Sequence, residues 1–238
     1  SGGMAYVWKS QLALSQGVDI VECSASGSGG VAYVTAESVM EANGLVTIRD
    51  STGSYGGVVY VEDSRLEIGG SVLVEGCSAA DDGGMVYLDE SSMEAKNGVT
   101  IRQCTAGGSG GMAYVWKSEL ELLDMVTVTG LRAEWGGVAY VDRQSTITAS
   151  RQVTFQDCSA EWAGMAYVER GSVVLAHGVE IANCSATKDG GAVYLDKGEM
   201  SMHDGVHVSN CSAQNGGMVY LFSGCLLYTS PSPRDGLL

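Results

Sequence analysis

Apolar and polar residues alternate along most of this chain in runs of four or five positions. In two of the clearest runs, one polar residue separates Leu66 from Ile68, and another separates Val99 from Ile101. A period of two indicates β-strands with one buried face. The runs are separated by corners, and the strongest tight-turn pairs in these corners are Asn43-Gly44, Asn97-Gly98 and Asp204-Gly205.

Runs and corners recur at a nearly constant period. A glycine pair, or once the pair Ala163-Gly164, precedes two apolar residues and a tyrosine. These tyrosines follow one another at intervals of 26 or 27 residues and are Tyr6, Tyr33, Tyr60, Tyr87, Tyr114, Tyr140, Tyr167, Tyr194 and Tyr220. A period of this length indicates a solenoid, whose units bury their apolar faces against one another.

Each repeat contains three alternating runs and three corners, which predicts one coil of a parallel β-helix. We expect an all-β solenoid of about nine coils, with equivalent strands of successive coils paired about 4.8 Å apart. Leucine-rich repeats share the period but require a leucine-dense strand and a helix or its equivalent, and propeller blades require longer repeats.

The repeat resembles that of the polymorphic outer-membrane proteins of chlamydiae and, more broadly, right-handed pectin-lyase-like β-helices. The Gly-Gly-Ala-Ile element of the chlamydial family is matched closely by residues 190–193, which read Gly-Gly-Ala-Val. Its Phe-x-x-Asn element is matched by residues 155–158, where Cys158 replaces the asparagine. The resemblance covers residues 1–222 and implies a right-handed coil. Similar repeats occur in large eukaryotic surface proteins, so the sequence is compatible with a bacterial and with a eukaryotic source.

The chain divides into a repeat domain and a short tail. Residues 1–224 are predicted to be one β-helix domain that is truncated at both ends, because the chain opens inside a repeat. Residues 225–235 read CLLYTSPSPRD, which resembles the translation of a sequencing-library adapter. We interpret residues 225–238 as a non-native or disordered tail. The alternative is a short Pro-Ser tail of biological origin.

The composition excludes several classes of function. A formal net charge of −15 argues against nucleic-acid binding, which requires clustered lysine and arginine. No apolar run approaches the roughly 18 residues of a membrane-spanning helix. Acidic residues often stand two places after the tyrosines, as at Glu62 and Glu169, and basic residues follow them, as at Arg170. We interpret these columns as a charge-balanced surface and not as a calcium site.

Six cysteines occupy one position of the repeat, and they are Cys23, Cys77, Cys104, Cys158, Cys184 and Cys211. Because they point the same way along the solenoid axis, they do not converge on a metal ion, and we predict neither a metal nor a cofactor. They are expected to stack as small buried side chains, while disulfides between successive coils stay conceivable. Asp50 and Gly130 are read as interruptions of this column.

The alternation in the first run of each repeat predicts an outward ladder of tyrosines. The same parity places Met85, Met112, Met165 and Met218 beside them on the outer face. An exposed aromatic stripe centred on Tyr87, Tyr114, Tyr140 and Tyr167 would bind a protein or a glycan. Two alternatives have equal weight. In one, the stacked tyrosines stabilise one another and bind no partner, and in the other, a corner loop folds over them.

Three further aromatic residues occupy one loop position just before the glycine pairs, and they are Tyr55, Trp135 and Trp162. Paired loop aromatics of this kind can stack on sugar rings. They can also cover a neighbouring corner of the protein itself, which is the commoner arrangement.

Function follows from the regularity of the coils. Polysaccharide lyases and hydrolases with this fold interrupt the repeat with long loops that build sugar subsites, whereas the repeats here are nearly equal in length. Residues 1–14 nearly repeat residues 109–122, which indicates expansion by duplication. We expect a non-catalytic extracellular or cell-surface protein, adhesin-like or a stalk, whose partner is a protein or glycan on another surface. The alternatives are a fragment of a β-helix polysaccharide lyase or hydrolase, or a carbohydrate-binding repeat.

Overall fold

The alternating runs form strands that stack from coil to coil in parallel columns. A computed structural model describes residues 2–229 of the chain. The first column carries the repeat tyrosines, and its strands are Ala5–Trp8, Ala32–Thr35, Val59–Glu62, Val86–Asp89, Ala113–Trp116, Ala139–Asp142, Ala166–Glu169, Val193–Met202 and Val219–Tyr228. The second column follows one corner later and consists of Gln11–Ser15, Val39–Asn43, Arg65–Gly69, Ser92–Lys96, Glu119–Leu123, Thr146–Ser150 and Ser172–Leu175.

Two more columns complete each coil. The strands of the third column are Val18–Val21, Val46–Arg49, Val72–Glu75, Val99–Arg102, Val126–Thr129, Val153–Gln156, Val179–Ala182 and His207–Ser209. The strands of the fourth column are short, and they are Thr52–Gly53, Ser78–Ala79, Thr105–Ala106, Arg132–Trp135, Ser159–Trp162 and Ser185–Ala186. The sequence analysis did not separate this fourth column from the corner around it.

Pairing between coils is parallel and in register. Tyr87, for example, pairs with Tyr60 on one side and with Tyr114 on the other. Because Val193–Met202 runs through both the first and the second column, these columns join into one 16-stranded sheet. The third and fourth columns form sheets of eight and six strands. The prediction of an all-β, right-handed parallel β-helix is confirmed, since the strands form three parallel sheets and the solenoid makes about eight turns. Most coils contain a short fourth strand in addition to the three that were predicted.

The core is a continuous column of aliphatic side chains inside the solenoid. Val86 and Leu88 of the first column, Leu120 of the second and Ile101 of the third are fully buried. Each buried aliphatic side chain of this size contributes roughly 1.5–3 kcal/mol to folding. Since the contacts repeat from one coil to the next, stability depends on the stacking of neighbours.

The methionines before the first-column strands do not lie beside the tyrosines, and that prediction is wrong. Met85, Met112 and Met165 are at most 3% exposed, while Met218 is 36% exposed. The backbone N–H groups of both Met85 and Val86 donate to the carbonyl oxygen of Met112. This shared acceptor marks an irregularity at which the alternation of faces stops, so the methionine and the next residue both point inward.

The predicted tight turns between the second and third columns are confirmed. Gly44, Gly98 and Gly205 have φ angles of 86°, 92° and 79°, a region that glycine adopts without steric cost. The turn residue before Gly98 is Asn97, whose φ is 62°, as a type I′ turn requires.

A ladder of serine hydroxyls runs through the corner between the first and second columns. The N–H groups of Ser38, Ser64, Ser91 and Ser118 donate to the hydroxyl oxygens of Ser64, Ser91, Ser118 and Ser145 in the next coils. The Ser118 hydroxyl in turn donates to the carbonyl oxygen of Trp116, at 2.7 Å. The ladder satisfies backbone groups that the corner removes from both sheets.

We predict that Ser118→Ala lowers the free energy of unfolding by about 2 kcal/mol, because the buried N–H of Ser91 loses its acceptor. Urea unfolding followed by circular dichroism measures the change. The matched control is Ser10→Ala, since the Ser10 hydroxyl is exposed and bonds only its own coil, at the carbonyl oxygen of Trp8. Equal stability of the two variants would show that the ladder contributes nothing.

The last described strand includes the start of the predicted tail. Val219–Tyr228 pairs with Val193–Met202, and Cys225 lies opposite Glu199 in that pairing. The remainder of the tail, residues 230–238, lies outside the described residues. The interpretation of residues 225–238 as a non-native or disordered tail stays a prediction.

Candidate functional site

The tyrosines form one continuous stack on the outer face of the first column. Centroids of successive rings from Tyr6 to Tyr220 are 4.7 to 5.4 Å apart, and the ring planes are within 23° of parallel. The outward ladder predicted from the parity of the strand is therefore present. Its exposure is smaller than the prediction implied, since Tyr6 at the end is 60% exposed but Tyr167 and Tyr194 are only 8% exposed.

Carboxylates of the following coil accept hydrogen bonds from several of these tyrosines. The hydroxyls of Tyr33 and Tyr140 each donate at 2.7 Å, to Glu62 and Glu169 respectively. Burial first, and then this bond and the charge of the carboxylate, raise the pKa of both tyrosines above its ordinary value. The hydroxyl groups therefore stay protonated donors at neutral pH.

The loop aromatics pack on the tyrosine stack of the next coil. Trp135 and Trp162 stack on each other with centroids 5.4 Å apart, and they meet the rings of Tyr167 and Tyr194 edge-on at 5.1 and 5.6 Å. Tyr55 meets Tyr87 in the same way, at 5.6 Å. These contacts explain why Tyr167 and Tyr194 are the most deeply buried tyrosines of the stack. The two tryptophans act as a cover over this end of the ladder.

We predict that Trp162→Ala lowers the free energy of unfolding by about 2 kcal/mol, because the variant loses ring contacts with Trp135 and Tyr194. Thermal unfolding followed by circular dichroism measures the loss. The control is Trp8→Ala, since Trp8 is 55% exposed and its removal should change the free energy by less than about 0.5 kcal/mol. A Trp162 variant as stable as the parent protein would contradict the covering role.

A second pair of tryptophans lies two residues after the tyrosines, and the sequence analysis did not select it. Trp116 and Trp8 point outward from the first column, and the ammonium groups of Lys117 and Lys9 lie 4.1 and 4.9 Å from the centroids of their rings. The signal was present in the sequence, because residues 1–10 and 109–118 are identical. The duplication was read only as evidence of array expansion.

The four inner members of the cysteine column are buried, as the packing interpretation predicted, while Cys23 and Cys211 in the end coils are half-buried. Cys77, Cys104, Cys158 and Cys184 are fully buried, and all cysteines of the described residues are free thiols. The residues that interrupt the column are not Asp50 and Gly130, and that assignment is wrong by one position. The pairing of Thr52 with Ser78 and of Thr105 with Arg132 places Ser51 and Leu131 in the column. Both are fully buried, as a packing role allows.

The charged columns form long ion pairs along one edge of the solenoid. Arg143, Arg170 and Lys197 lie 3.8 to 3.9 Å from Asp142, Glu169 and Asp196, each within its own coil. Among residues 2–229, no group of three or more histidine, cysteine, aspartate or glutamate side chains is arranged to hold a metal ion. Within the same range, no helix is long and apolar enough to cross a membrane.

Comparisons with protein-family models, with curated proteins and with solved structures find no match to this chain. The chain is therefore classified by its fold alone. A parallel β-solenoid with three sheets is consistent with the pectin-lyase-like β-helix.

Proposed function

We propose that this chain is part of a non-catalytic extracellular or cell-surface rod, adhesin-like or a stalk, that presents a repetitive side to a protein or glycan on another surface. The observation that carries the proposal is the unbroken stack of the tyrosines from Tyr6 to Tyr220. Coils of nearly equal length extend the rod in one direction without enlarging its core, which suits a spacer or a repeated contact surface.

The same proposal includes a relationship to one particular family of β-helix repeats. The Gly-Gly-Ala-Val sequence of residues 190–193 supports descent from repeats of the chlamydial polymorphic outer-membrane type. These residues form a glycine corner followed by the start of Val193–Met202, a first-column strand. A surface location is the expectation that follows from this resemblance.

The test is the location of the protein on the cells that produce it. Antibodies raised against residues 2–224 should label intact cells, and brief protease treatment of those cells should remove the label. Labelling that appears only after permeabilisation would overturn the proposal. Purified protein incubated with polygalacturonate should release neither reducing ends nor unsaturated product, and release of either would favour the polysaccharide lyase or hydrolase alternative.

A further inference from the structure

The position two residues after each tyrosine forms a column of its own on the outer face. Its in-register members include Glu62, Asp89, Trp116, Asp142 and Glu169. Trp116 therefore stands between two carboxylates, each contributed by a neighbouring coil. Trp116 is half-buried at this position, and its indole is longer than the aspartate side chains on either side of it.

The presence of Trp116 in this column removes the carboxylate that the Tyr87 hydroxyl would otherwise meet in the following coil. Tyr33 and Tyr140 donate to the carboxylate of the following coil, whereas the position that follows Tyr87 is occupied by Trp116. Within the described part of the chain, the hydroxyls of Tyr87 and Tyr114 have no hydrogen-bond partner. Two phenol groups and two carboxylates thus lie around one indole ring.

Ion pairing holds the tryptophan in a defined orientation. The Lys117 ammonium group lies over the indole ring and also pairs with Glu90, at 2.6 Å. The cation covers one face of the ring. Because the loop residues cover the tyrosine of the next coil, the position that would cover Tyr114 is occupied by Asp82, so the coil of Trp116 lacks the tryptophan cover of the later coils.

We propose that Trp116, with Tyr87, Tyr114, Asp89 and Asp142, forms a binding site for a neutral pyranose unit of a glycan. One apolar face of the sugar would stack on the indole, and its hydroxyls would donate to the carboxylates and accept from the phenols. The surrounding charge favours neutral sugars over uronic acids, because Glu90 and the two aspartates repel a further carboxylate. The inference rests on the proposed function, since it names the partner of the repetitive surface.

The first coil carries a second copy of the central element. Trp8 and Lys9 repeat Trp116 and Lys117 within the duplicated sequence, four coils away along the same column. At about 4.8 Å per coil the two indoles are roughly 19 Å apart. A glycan chain that reaches both would bind more tightly than one that reaches a single site.

Binding of the protein to an array of neutral and uronic-acid oligosaccharides tests the proposal. We expect signal on neutral glycans, a loss of about tenfold or more in apparent affinity for Trp116→Ala, and a further loss for the double variant Trp8→Ala, Trp116→Ala. The control is Met125→Ala, which removes an exposed side chain (54% exposed) of the same coil at a different corner and should bind as the parent does.

Two results would overturn the site. One is an array without signal for the parent protein, and the other is a folded Trp116→Ala variant that binds like the parent. Circular dichroism establishes that each variant is folded. A second readout uses Trp116→Phe, which should remove most of the change in tryptophan fluorescence that a bound oligosaccharide causes. Labelling of intact cells is independent of these results, so failure of the sugar site leaves the proposed surface location standing.

Discussion

Gly137→Ala should destabilise the solenoid by about 4 kcal/mol or more, whereas Gly136→Ala, one residue earlier, should cost only about 1–2 kcal/mol. A Cβ atom on Gly137 would lie 2.3 Å from the carbonyl oxygen of Gly164 in the next coil and 2.8 Å from that of Ser159. Both obstacles are backbone atoms of the neighbouring coil. Relief therefore requires the coils to separate, which breaks their pairing.

The first glycine of each pair is favoured for a different reason, which is its positive φ angle. Gly136 has a φ of 64°, and its added Cβ would lie 2.0 Å from the carbonyl oxygen of Ala139, an obstacle within its own coil. The chain shows that this corner accepts a methyl group, because Ala163 occupies the equivalent position with a φ of 60° and is fully buried. The second glycine, by contrast, is present in all nine repeats.

Chemical unfolding of the two variants, followed by circular dichroism, measures the difference. The expected order is parent, Gly136→Ala, then Gly137→Ala, with the last unfolded or largely unfolded at 37 °C. Because both variants add one methyl group at adjacent positions, they control for each other. Equal stabilities would show that close approach between coils does not explain the glycine pair.

The protein should also unfold cooperatively as the pH rises above about 10. Burial raises the pKa of seven consecutive stack tyrosines, from Tyr33 to Tyr194, above the ordinary value of 10.0. Neighbouring carboxylates and tyrosines raise it further. In the unfolded chain the same groups lose their protons near pH 10.

The direction of the effect follows from proton linkage. A group with a raised pKa in the folded state contributes stability that is complete below the unfolded pKa and is lost as pH increases toward the folded pKa. Each such tyrosine contributes a loss of at most about 1.4 kcal/mol per pH unit above 10. Even if solvent screening halves this slope, seven tyrosines exhaust a typical stability of about 5–15 kcal/mol within roughly three pH units.

Phenolate absorbance and circular dichroism, recorded together from about pH 8 to about pH 13, test this expectation. Phenolate should appear in one step that coincides with loss of the β-sheet signal. Tyr114→Phe should make the dependence of stability on pH shallower, because one titrating group is removed. Gradual ionisation of the tyrosines in a protein that stays folded would contradict the stacked, desolvated ladder.

The period of the tyrosines was sufficient to predict the coil, because in-register stacking requires equal repeat lengths. The burial of the methionines was not predictable from the alternation of faces along the strand, since this alternation stops where the N–H groups of Met85 and Val86 share one acceptor. For the loop tryptophans, the sequence analysis already gave covering of the protein itself as the commoner arrangement, but which ring they cover was not predictable. Trp162 meets Tyr194, a residue of the next coil that lies far along the chain, and no local pattern reports that contact.

Two details of the candidate site show the same limit. Serine at the start of the second run was visible in the sequence, but its burial and its bonds to the next coil depend on the register. Trp116 was visible as part of a duplicated segment, yet its place between Asp89 and Asp142 emerges only when three coils are stacked. Sequence period predicts the columns, and register determines which side chains meet.

Nuclear Overhauser contacts between tyrosine rings test the in-register stack most directly. In a deuterated protein with protonated tyrosines, we expect one unbroken chain of ring-to-ring contacts that links Tyr6 through Tyr33, Tyr60 and their successors to Tyr220, since neighbouring centroids are no more than 5.4 Å apart. Stepwise Tyr→Phe substitution assigns each contact. Tyrosine rings that show contacts only within their own repeats, or none at all, would contradict the solenoid and every inference built on it.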